Sequence, residues 1–88
     1  MRIQYRQLKH LLVETQSGIV LGHVHDLVLD IDGQLVAQYE VKSSLLSAKI
    51  YLISRDQVVR FEEKKMIVTD GLTPTEPTNR KEKKLEVA

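Results

Sequence analysis

The chain contains no cysteine, which excludes a disulfide framework, a thiolate zinc site and a thiol nucleophile in one step. Prolines number two, Pro74 and Pro77, both near the C-terminus, and only four glycines punctuate the 88 residues. No apolar run approaches the roughly 20 residues that cross a bilayer, so direct membrane insertion is not expected. The opening Met1-Arg2-Ile3-Gln4-Tyr5-Arg6 lacks the apolar stretch of a secretory signal, and the reading places the chain in the cytoplasm. No excess of one charge marks the body: residues 1–71 carry nine Lys/Arg against nine Asp/Glu. That balance argues against a broad electrostatic footprint on nucleic acid, which clusters Lys and Arg on one face. Sustained 3.6-residue periodicity is missing too, so no long helix is expected.

What is there is period-2 patterning. From Gln34 to Lys42, Leu35, Ala37, Tyr39 and Val41 alternate with polar residues, broken only by Val36. Before it stands Val24 to Ile31, and Asp32-Gly33 between them suits a hairpin with a type I′ turn. A second hairpin joins Leu11–Thr15 to Ile19–Leu21 through Gln16-Ser17-Gly18, where Gly18 supplies a turn residue free of Cβ strain. Ser43 to Lys49 reads as a loop before a strand over Ile50–Ile53, and Ser54-x-x-Gln57 has capping-box spacing for one helical turn. Val58–Phe61 and Met66–Thr69 form a last hairpin about Glu62–Lys65. The expectation is an all-β domain over residues 1–71: a small, closed or nearly closed antiparallel barrel of about six strands with one helical turn. Residues 72–88, with Arg80, Lys81, Lys83 and Lys84 interleaved with Glu82 and Glu86, read as a flexible charged tail.

The run from Gly18 to Asp30 fits G-x-x-(I/L)-G-x-V-x-D-x-x-x-D through Gly18, Leu21, Gly22, Val24, Asp26 and Asp30. With Leu8 and Val13, and with this order of turns and strands, the chain resembles the PRC-barrel family over about residues 6–71. Two departures stand out: His10 where the family commonly has glycine, and Ser54 where many members have proline. The resemblance implies the barrel found in the reaction-centre H subunit and in the C-terminal domain of the ribosome-maturation factor RimM. It implies no shared catalytic residues, and an adaptor role toward protein or ribonucleoprotein partners, with self-association in stand-alone members.

Candidate chemistry is sparse. His23 and His25 lie two apart on a strand and would share a face as metal ligands do, with His10 as a distant third; catalytic zinc needs three placed ligands, so no metal site is assigned. Asp30-x-Asp32-Gly33 begins like a calcium loop, yet Val41 falls where the bidentate glutamate belongs. Asp26 and Asp30 are expected as turn and bend residues alongside Gly18, Gly22, Asp32 and Gly33. Ser43, Ser44 and Ser47 supply hydroxyls that no pattern sets beside a histidine, so neither catalytic residues nor a cofactor are expected. Leu45, Leu46, Tyr51 and Ile53 exceed what one face of a small barrel needs, and this surplus reads as an interface. The functional expectation is a non-enzymatic adaptor that self-associates as a homodimer and binds a protein partner. Behind it stand an adaptor for RNA processing or ribosome assembly, and a metal-binding protein using His23 and His25.

Overall fold

The computed structural model describes residues 2–43 and 49–75. A four-residue helix α1 (Tyr5–Leu8) opens the fold, followed by strands β1 (Leu12–Thr15), β2 (Val20–Asp30), β3 (Leu35–Lys42) and β4 (Ile50–Ser54). A 3₁₀ turn (Arg55–Gln57) then leads into β5 (Val58–Glu62) and β6 (Lys65–Val68). The helix corrects the expectation of strands and turns alone. Gln4 N–H donates to Gln7 Oε1 at 3.0 Å, and the turn that follows carries Leu8 into the core. A single turn is too short to show periodicity in sequence.

The six strands form one sheet in the order β4-β3-β2-β1-β6-β5. All neighbours are antiparallel except β1 and β6, which run parallel with Leu12 opposite Lys65 and Thr15 opposite Val68. A fully antiparallel closed barrel is therefore not what forms among the described residues: β4 and β5 are opposite edges, and no hydrogen-bonded ladder joins them. The three-residue turn links these edges at one corner, where Thr69 N–H also donates to the Gln57 carbonyl at 3.0 Å. Ser54 N–H donates to Gln57 Oε1 at 3.0 Å, as capping-box spacing requires. The sheet curls, since Tyr39 of β3 meets Phe61 of β5 across the interior, ring centroids 6.3 Å apart.

Inside the curl pack Val13, Leu21, Val24, Tyr39, Val41, Ile53, Met66 and Val68, with Leu8 and Leu11 closing one side. Within the β2–β3 pair two slips of register set which residues face inward. On β2, Val24 faces Val41 but Asp26 faces Glu40, so His25 is an extra residue; on β3, Gln38 and Val36 face Val28 and Leu29, which leaves Ala37 extra. Each extra residue reverses the alternation beyond it. Leu27 therefore faces inward and Asp26 outward, and Val36, not Leu35 or Ala37, packs against the core.

Of the four glycines, Gly22 lies closest to neighbouring backbone. Its φ is +142°, and a Cβ there would lie 2.5 Å from the Lys42 carbonyl carbon and 2.8 Å from the Ser43 Cα. The β2–β3 turn also departs from expectation: positive φ falls on Gln34 and not on Gly33, so the turn is not type I′. Gln34 N–H closes onto the Ile31 carbonyl at 3.2 Å, the four-residue connection that commonly forms around a type I turn. Past the last strand the chain still touches the body: Leu72 packs against the core, and Thr75 pairs with Ile50 on the outer edge of β4.

Candidate functional site

Several sequence-nominated residues do not come together. Ile53 is fully buried at 0% exposure within the core, so it offers no surface to a partner, and Tyr51 is half-buried against the same core. The apolar surplus of β4 is absorbed because the strand buries residues on both sides: Ile53 against the core and Ile50 beside Thr75. Leu45 and Leu46 lie outside the described residues. His23 and His25 are both exposed on either side of the buried Val24, and the register slip falls between Val24 and Asp26. His10 precedes Leu11, whose carbonyl accepts Val24 N–H at 2.9 Å, and it lies in a shallow depression with Arg2, Glu62 and Lys64. Among the described residues no group of three histidine, aspartate or glutamate side chains is placed to hold a metal ion.

Near the first turn the structure assembles a polar cluster that no spacing rule links, because its members are 53 residues apart. The Asp70 carboxylate accepts Ser17 Oγ–H at 2.8 Å and Ser17 N–H at 3.1 Å, and these bonds hold its pKa below the ordinary value. Thr15 Oγ1 accepts Ile19 N–H at 3.0 Å across the turn that Gly18, at φ +95°, makes possible. Every polar partner in the cluster is thereby used in holding the turn to the C-terminal end of β6. On the neighbouring strands Lys65 Nζ donates to Glu14 Oε1 at 2.8 Å, which raises the lysine pKa. Burial raises that of Tyr39, with Arg55 opposing it. These groups brace strands, and none of them faces a histidine.

The surface with the most unusual character is the β2–β3 hairpin. The two strands pair over Asp26–Asp30 and Leu35–Glu40, whereas β1 pairs with β2 only over Val20–His23 and β4 with β3 only from Gln38 onward. The outer half of the hairpin thus projects beyond the sheet as a two-stranded ribbon. It displays Val28, Leu29 and Ile31, the last two 55% and 75% exposed. A depression of about 350 Å³ at the tip is lined by Leu29, Asp30, Ile31, Gln34, Leu35 and Val36. Asp30 Oδ1 accepts Gly33 N–H at 3.1 Å and Asp26 Oδ1 accepts Leu27 N–H at 2.8 Å. Asp32 is exposed in the turn, and no Lys or Arg lies anywhere from Asp26 to Glu40. The hairpin's exposed apolar side chains can bury surface against another molecule.

No match is found among curated proteins. No helix among the described residues is long and apolar enough to cross a membrane. A family model for the PRC-barrel domain matches residues 1–72, and it spans α1, all six strands and the Gly18–Asp30 run that carries the register slip. The chain belongs to the PRC-barrel domain family.

Proposed function

We propose that the chain is a non-enzymatic protein-interaction module that engages its partner through the projecting β2–β3 hairpin. The observation that carries this reading is the exposure of Val28, Leu29 and Ile31, left outside the core on the two faces and tip of a two-stranded ribbon. A small domain gains nothing in its own folding from apolar side chains at 55% and 75% exposure, while a partner that covers them gains about 25 cal/mol for each Å² removed from water. Membership of a family of small β modules agrees with a role built on surface and not on a catalytic pocket.

Replacing Leu29 and Ile31 together with Lys tests the proposal. Both side chains are exposed, so the variant should retain the circular dichroism and melting temperature of the parent within a few degrees. Tagged parent and variant chains are used to recover partners from the native lysate, with and without ribonuclease. Loss of a ribonuclease-resistant protein with the variant alone is the expected result. Equal recovery by both chains would refute the hairpin's role, and recovery that ribonuclease abolishes would replace the protein partner with a ribonucleoprotein.

A further inference from the structure

Beside its exposed apolar residues, the hairpin carries a free backbone edge and a row of charges. From Asp26 to Asp30 one edge of β2 pairs with β3, and the other has no strand beside it among the described residues. An unpaired strand edge is a template for one more strand. Along this edge Asp26, Val28 and Asp30 share the outward face, while Leu27 packs against the core and Leu29, on the face of Leu27, is 55% exposed beyond it. The two carboxylates stand four residues, or about 13 Å, apart on one face with an apolar residue midway between them.

Building on the reading of the hairpin as the binding surface, we infer that the open edge of β2 accepts an extended basic and apolar segment of a partner protein by strand addition. Directly opposed residues in a sheet share a face. The segment that fits therefore has the order cation, apolar, apolar, apolar, cation, its two cations meeting Asp26 and Asp30 and its central apolar residue meeting Val28. The Leu27 N–H, capped by Asp26 Oδ1 at 2.8 Å, passes to a carbonyl of the incoming strand as the carboxylate turns to the cation. A second copy of this chain is the poorer occupant. Two β2 edges paired about a two-fold axis at Val28 set Asp26 of one copy opposite Asp30 of the other, with no cation between Asp26 and Glu40 to offset the repulsion.

The test titrates the full 88-residue chain, ¹⁵N-labelled, with a capped peptide centred on Lys-Val-Leu-Val-Lys and records amide shifts. Shifts confined to residues 25–31 and abolished by N-methylation of the peptide's ladder amides are expected. Asp26→Asn and Asp30→Asn should each weaken binding about two- to fivefold, the range of an exposed ion pair. The pair Asp26→Lys and Asp30→Lys should prefer the same peptide with Glu in place of Lys. Shifts elsewhere, binding indifferent to N-methylation, or no binding at millimolar peptide would overturn the strand-addition inference. So would concentration-dependent changes at the same amides without peptide, which would assign the edge to a second copy. Failure here leaves the hairpin's role standing if the Leu29 and Ile31 variant still loses its partner; retention of the partner by that variant removes both.

Discussion

Gly22→Ala should be among the most damaging single-methyl changes available in this chain, and its size follows from two separable terms. The first is backbone strain: at φ +142° an L side chain costs about 1–3 kcal/mol. The second is overlap. The new Cβ would sit 2.5 Å from the Lys42 carbonyl carbon and 2.8 Å from the Ser43 Cα, and both obstacles are backbone of the neighbouring strand, which no rotamer change can clear. Relief requires prying β2 from β3, an overpacking cost of about 1–3 kcal/mol. Together they amount to about 2–6 kcal/mol against a total stability of about 5–15 kcal/mol for small domains. Gly18→Ala is the internal control, since it shares positive φ, at +95°, but nothing lies within 4 Å of its Cβ position. Urea unfolding followed by circular dichroism should place the midpoints in the order parent, Gly18→Ala, Gly22→Ala, with the last gap worth about 1–3 kcal/mol. Equal midpoints for the two variants would show that the close approach of β2 to β3 contributes nothing and would refute the reasoning.

Ile53→Ala should cost about 2–5 kcal/mol in the same assay, and Ile53→Lys should unfold the domain before it changes any assembly, because the residue is fully enclosed. Asp70 titrates below its ordinary 3.8 in the folded chain, so its bonds to Ser17 stabilise the fold above that value and fade as pH falls through the lower folded pKa. Asp70→Ala should therefore be destabilised relative to the parent at neutral pH, and the gap should close in strong acid; a gap independent of pH would exclude the carboxylate as its source. For Lys65 the sign is reversed: the folded pKa lies above 10.5, so its contribution is complete below that pH and is lost as pH rises through the folded value. Unfolding midpoints of parent and Lys65→Met should converge on the alkaline side, measured in a Tyr39→Phe background because the Tyr39 hydroxyl, raised by burial, titrates in the same region with the same sign.

The strands and turns were largely legible because period-2 alternation and capping chemistry are local. Leu35–Lys42 alternates, Ser54-x-x-Gln57 winds one turn, and Gly18 sits in a turn at positive φ. Partnership between strands is not local. Nothing in Leu12–Thr15 or Lys65–Val68 says that they run parallel, since alternation reports which face a side chain takes and not which neighbour it meets. Val36 interrupts the polar face of β3 in the sequence, and the structure explains the interruption: Ala37 is an extra residue, and the strand changes phase there. Counting apolar residues on β4 pointed to an interface at Tyr51 and Ile53 because the count took one face to be solvent; the curled sheet and Thr75 leave little of that strand outside.

The extra residues at His25 and Ala37 act as a pair of phase shifters, one on each strand, at the boundary between the enclosed half of the hairpin and its projecting half. Below them the chain answers to the core, where Val24 and Val41 admit almost no change of volume. Above them most side chains are free of that constraint, and of the outward row Val28 and Asp30 can be rewritten without facing a buried partner, whereas Asp26 stands opposite the buried Glu40. Deleting His25 would shift β2 by one position, bringing Asp26 inward and Leu27 outward along the whole projecting arm. The two extra residues thus uncouple the row that builds the interior from the row that the projecting arm shows to solvent, so that the second can vary while the first stays fixed.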